Sequence, residues 1–151
     1  MMNNNVELAY LAGLVDGEGC IHINKWRNLL KNGHQYALLV QIKMCDGRLL
    51  KELHRKYGGN LRLLKRSLEN PNHSDILVWR LGNRNAQAFL ERLLPYLRLK
   101  RRQAEIGINF SKSIPGHRGS RALTEGEIAG REQSYNLLRE LKQSERTYRL
   151  I

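Results

Sequence analysis

Two carboxylates, Asp16 and Glu18, stand among three glycines in the segment LAGLVDGEG, Leu11 to Gly19. The apolar spacing upstream puts them at the C-terminal end of a helix. Negative charge there is disfavoured by about 0.3–1 kcal/mol per group. Lys or Arg would stabilise that end, and this chain has many. Such broken local rules gather at functional sites. A carboxylate beside an exposed backbone carbonyl is a partial shell for Mg²⁺, which takes few protein ligands and leaves the rest to water and phosphate. A glycine-rich turn with two solvated acids satisfies the same facts, and the dipole argument leaves both readings standing.

The other candidates for chemistry are weaker. LTEGEIAG, Leu123 to Gly130, imitates the first segment, but its acids open a helix, and Thr124 with Glu127 forms a capping box. Cys20-x-His22 is half a zinc site with no second half at a suitable spacing. Both residues read better on the polar face of a strand. Glu140-x-Lys142 echoes a nuclease E-x-K, yet its charge-balanced helix reads as surface. His54, His73 and His117 have no partners in sequence, and neither a phosphate-binding G-x-x-x-x-G-K-[ST] loop nor a G-x-S-x-G elbow occurs.

The elements that must position these groups follow from periodicity. Residues 5–16 read as a helix capped by Asn4 or Asn5, with Leu8, Leu11 and Val15 on one side. Ala9, Gly13 and Gly17 form a second stripe of small residues. Gly inside a helix costs about 1 kcal/mol relative to Ala, and such stripes mark close approach of another backbone. Strands are expected over 20–26, 35–44, 60–66 and 76–82. Asp46 caps a short helix closed by Gly58-Gly59, and Asn83 caps another. A helix through Ile106 and Phe110 and a final amphipathic helix follow. The order is αββαββα plus C-terminal helices, an α+β layer with one sheet. The whole of 1–151 reads as one domain, with a core over about 5–110 and a helical region over about 111–151.

Each strand has one apolar face. The other collects Gln, Asn, Arg, Lys, His and Trp, several of which read base edges in a major groove. The charge agrees: 26 Lys+Arg stand against 14 Asp+Glu, a net +12. Residues 124–151 hold five acids and five bases, so the whole surplus lies in 1–123. A surplus of that size asks for a polyanion. No apolar run approaches the roughly 20 residues of a membrane span. Two cysteines make no disulfide framework, and a reducing compartment is the simpler reading.

LAGLVDGEG closely resembles the LAGLIDADG signature of homing endonucleases, with Glu in place of Asp at its eighth position. PYLRLKRRQA, Pro95 to Ala104, is similar to the P-x-L-x-x-K-x-x-Q-A segment of single-motif members. The resemblance spans at least residues 6–110. It implies a homodimer whose motif helices pack at a two-fold axis through Ala9, Gly13 and Gly17, and a saddle-shaped antiparallel sheet lying over double-stranded DNA. Glu18 is then the metal ligand, assisted by the Gly17 carbonyl, with Mg²⁺ (or Mn²⁺) as the cofactor. Lys100 matches the family's active-site lysine, and Asp16 is a structural hydrogen-bond acceptor. Gapless alignment places Ile42 where relatives carry a water-orienting Gln, so either the adjacent Gln41 takes that role or water is ordered otherwise.

The implied activity is site-specific, intron-encoded cleavage of a long, partly palindromic site, leaving 3′ overhangs. The protein would then work inside the cell with DNA, in cytoplasm, nucleoid or organelle matrix. Strand parity selects His22, Asn24, Trp26, Gln35, Gln41, Lys43, Arg62, Arg66 and Arg80 as contacts to base or phosphate, although Trp26 reads equally as strand-end packing. Arg27, Lys31, Lys65, Lys112, Arg118 and Arg121 would touch phosphates. The alternatives on the same fold are an RNA-binding maturase, with intron RNA as its partner, and a DNA-binding protein without catalysis.

Overall fold

Leu8, Leu11, Ala12 and Val15 recur at helical spacing and are buried along one side of α1 (Asn4–Glu18). The computed structural model describes residues 4–28, 33–66, 70–115 and 123–148. Lys31, His117, Arg118 and Arg121 lie outside the described residues. α1 outruns its expected end by two residues and feeds without a loop into β1 (Gly19–Asn28). This junction needs glycine: a Cβ on Gly19 would lie 2.6 Å from the Val15 carbonyl oxygen.

The remaining elements are β2 (Gly33–Met44), α2 (Arg48–Tyr57), β3 (Asn60–Leu64), β4 (Ile76–Gly82), α3 (Asn83–Leu93), α4 (Arg101–Ser113) and α5 (Glu125–Tyr148). The strands form one antiparallel sheet in the order β1-β2-β4-β3. β1 and β2 pair over their full common length, from Gly19↔Ile42 to Asn28↔Gly33. One sheet face carries Ile21, Ile23, Leu38, Val40, Ile42, Trp79 and Leu81, all buried with Phe89 and Leu90 of α3 and Ile106 and Phe110 of α4. Trp79 anchors this layer. Its indole Nε1 donates to the Gly58 carbonyl at 2.9 Å, and its ring meets Phe89 edge-on at 5.3 Å.

Several local expectations are corrected. Gly82, not Asn83, is the N-cap of α3; Asn83 is already helical and has a φ of 50°. Strand passes directly into helix there, and Asn tolerates the left-handed region that the junction requires. Gly47 is the N-cap of α2, with no side-chain cap bond. Asp46 acts from one residue further out, accepting the Arg48 N–H at 3.1 Å. β3 stops at Leu64, so Arg66 lies beyond the strand, where its N–H donates to Asp75 Oδ1. The capping box before α5 is formed: the Thr124 N–H reaches Glu127 Oε2 at 2.8 Å, and the Glu127 N–H reaches Thr124 Oγ1 at 3.2 Å.

Gly19→Ala is expected to lower stability by about 1–3 kcal/mol through overpacking against backbone. Chemical denaturation checks this, and an unchanged midpoint would show that the junction can relax.

Candidate functional site

The C-terminal turn of α1 is held by the segment between α3 and α4. Asp16 Oδ2 accepts the Arg98 N–H at 2.8 Å, and Asp16 Oδ1 accepts the Lys100 N–H at 2.9 Å. Lys100 is buried and sends its ammonium back to the helix end. Nζ donates to the Val15 carbonyl at 2.9 Å and the Asp16 carbonyl at 2.5 Å. A cation therefore does face the negative pole of the helix, but it comes from another part of the chain. Asp16 is engaged in backbone recognition. Glu18, two residues later, is exposed beside exposed Gly17. The two acids thus separate into a structural one and an accessible one. Glu18 and the Gly17 carbonyl are hard oxygen donors of the kind Mg²⁺ accepts. Among the described residues no group of three His, Cys, Asp or Glu gathers into a fuller metal cage.

Sheet register brings the expected contact residues onto one face. Residues directly opposite across an antiparallel pair share a side. Cys20, Gln41, Arg80 and Asn60 make one row across all four strands, two residues from Glu18. Lys43, Val78 and Arg62 make the next row on one side. Toward the other end lie His22 opposite Leu39, Asn24 opposite Ala37, and Trp26 opposite Gln35. Trp26, at the far end of this face, is 44% exposed. Ile42 is fully buried on the apolar face, which leaves Gln41 as the glutamine facing the polar side at this level. Its Oε1 accepts from Arg80 Nε at 3.2 Å and Nη2 at 2.7 Å, a fork that fixes the amide's orientation.

Some residues fall elsewhere. Arg66 is exposed past the end of β3. Arg27 is exposed but, by alternation, belongs to the side of Ile21, Ile23 and Lys25, opposite the polar face. Lys65 is exposed just past β3, and Lys112 sits on α4, paired with Glu91 at 3.2 Å. Lys142 is not a plain surface residue of α5. Its Nζ donates to the Ile21 carbonyl at 2.6 Å and lies 3.4 Å from Cys20 Sγ. Cys20 is also 3.6 Å from His22 Nδ1, and that hydrogen bond is the main cause that brings its thiol down to about 7. Sequence reading missed Asn60, whose position two residues before Arg62 already marked it for the polar face. It also missed the role of Lys142, for which spacing carried no signal.

Ala9, Gly13 and Gly17 are exposed on α1, and a Cβ on Gly13 or Gly17 would meet nothing within 4 Å. Val6 and Tyr10 are exposed on the same helix, at 56% and 57%. Nothing described within this chain explains the small residues.

The model of the LAGLIDADG endonuclease family matches residues 11–98, and the chain belongs to that family. It is 32% identical over 130 residues to the DNA endonuclease I-CvuI of Chlorella vulgaris, covering 83% of this chain and 76% of that protein. It also resembles a crystal structure of the homing endonuclease I-CvuI in complex with its target in the presence of 2 mM Ca. There the TM-score is 0.62 at 28% identity, over 75% of this chain and 70% of that one. The archaeal intron-encoded homing endonuclease I-Vdi141I, complexed with DNA, shares the fold with a TM-score of 0.71 at 14% identity, over 91% of this chain and 85% of that one.

The two acids should separate in a stability measurement. Asp16→Ala strands two backbone N–H groups and is expected to cost roughly 1–3 kcal/mol. Glu18→Gln, at an exposed position, should stay within about 0.5 kcal/mol. Equal losses in thermal or denaturant unfolding would remove the distinction drawn between them.

Proposed function

We propose that the chain is a site-specific homing endonuclease, encoded within an intron. It binds a long, partly palindromic double-stranded DNA site as a homodimer and hydrolyses one phosphodiester in each strand, leaving 3′ overhangs. The observation that carries this reading is the exposed Glu18, next to Gly17, at the border of a polar sheet face whose first row holds Gln41, Arg80 and Asn60.

Glu18 and the Gly17 carbonyl would hold the divalent cation, Mg²⁺ by preference and Mn²⁺ as a substitute. A cation bound there supplies a nucleophilic water and neutralises charge on the scissile phosphate. The chain's own groups do the rest. Gln41, oriented by Arg80, positions the attacking water. Lys100, lodged at the α1 terminus, places positive charge close to where the phosphate's charge develops. His22, Asn24, Trp26, Gln35, Lys43, Arg62 and Arg80 read the duplex from the polar face, while Arg66 follows the backbone past the end of β3.

The open stripe of Ala9, Gly13 and Gly17 supports a two-fold contact between α1 helices. A second copy explains why glycine is placed where this chain leaves space. It also brings a second Glu18 to the same axis, so that one chain need not build a full metal cage.

A plasmid-library cleavage assay in Mg²⁺ should yield discrete cuts with 3′ overhangs at one partly palindromic site. Glu18→Gln should abolish cutting and retain DNA binding. A mutant that still cuts would take Glu18 out of the reaction, and binding restricted to structured RNA would favour a maturase. Gly13→Leu should shift the protein to monomers in analytical ultracentrifugation. An unchanged dimer would sink the proposed helix contact.

A further inference from the structure

We infer that α5 carries a clamp for nucleic-acid backbone phosphate along the outer edge of β1, built on Arg139 and Arg146; this rests on the reading of the chain as a DNA endonuclease. α5 runs antiparallel to β1. Glu132 meets Lys25 at 2.8 Å near one end, and Lys142 meets Ile21 at 2.6 Å further along. Ten helical residues span about 15 Å and four strand residues about 13 Å, so the two elements stay side by side. Between them lies a groove of about 220 Å³. Its floor includes Tyr135 and Leu138. Arg139, Lys142 and Arg146 line it from α5, and His22 lines it from the polar-face side. No acid is among the described lining residues.

This polarity is hidden in the sequence, because residues 124–151 hold equal numbers of acids and bases. In the structure three of the five acids are engaged by other groups. Glu132 is held by Lys25 and by the Tyr36 hydroxyl, and its carboxyl is pulled below its ordinary range chiefly by Lys25. Glu145 accepts the Gln103 amide, and Glu127 closes the capping box. Arg139, Lys142 and Arg146 fall at i, i+3 and i+7, on one face of the helix. Lys142 is committed to the strand edge, while Arg139 and Arg146 are exposed. A planar guanidinium suits phosphate oxygens, which it can bind in a bidentate fork. Because His22 belongs to both the groove and the polar face, a duplex on that face brings its backbone to these arginines.

The test is salt-dependent binding of the full chain to a labelled random-sequence duplex by fluorescence anisotropy. Removing one phosphate-binding cation should lower the slope of log K against log salt by about 1. Arg139→Gln with Arg146→Gln removes four such cations from a DNA-bound homodimer and should therefore lower it by about 4, weakening all duplexes alike, whereas Arg139→Lys with Arg146→Lys should restore the slope. Glu140→Gln, on the same helix, should not lower it. An unchanged slope in the double glutamine variant overturns the clamp, as does a loss confined to structured RNA. Cutting in the library assay reports separately on the endonuclease reading. A slope that falls in a protein that cuts nothing upholds the clamp and sinks the nuclease; an unchanged slope in a protein that cuts does the reverse.

Discussion

The C-terminal turn of α1 is held by charges contributed from 84 residues away. A helix end leaves carbonyls without intrahelical partners, and here the Lys100 ammonium takes two of them while Asp16 takes two N–H groups in return. The exchange is reciprocal: the lysine answers the helix dipole, and the carboxylate satisfies the backbone on either side of Leu99. Because Lys100 is buried, this is a fixed joint and not a loose surface pair. It sets where α1 stops, and so where β1 begins and which way Glu18 leaves the backbone.

From that joint the sheet propagates the geometry. Gly19 pairs with Ile42, so every later residue of β1 has its side assigned. A one-residue slip would exchange the faces completely. The buried row of Ile21, Val40 and Leu81 makes such a slip expensive, and Trp79, held by the Gly58 carbonyl, fixes the far side of the sheet to α2. The placement of the polar row beside Glu18 therefore rests on apolar packing on the opposite face. The site residues themselves contribute little to holding it.

Much of this was legible in the sequence, for a definite reason. Period-2 alternation separates Gln41 from Ile42 and Arg80 from Trp79 without knowledge of the partners. Helical spacing likewise separates Leu8, Leu11 and Val15 from Ala9, Gly13 and Gly17. Contacts between distant segments were not legible. Lys100 was marked by the resemblance, but its bonds to the carbonyls of Val15 and Asp16 depend on how the segment after α3 returns to α1. The caps at Asp46 and Asn83 were displaced by one residue, because the glycines beside them took the junction positions. The segregation of charge on α5 was invisible too: equal counts say nothing about which acids are already engaged.

The hold of α5 on β1 has a consequence for solubility. β1 is an edge strand ten residues long, and a bare edge of that length presents unpaired backbone groups on which another chain can add a strand. Lys142 occupies the Ile21 carbonyl, and the body of α5 covers the approach. The opposite edge, β3, is protected differently, by being only five residues long and by carrying Arg62. The last helix is thus also a guard against self-association through strand addition, and a chain lacking it would expose an aggregation-prone border even if every residue around Glu18 were intact.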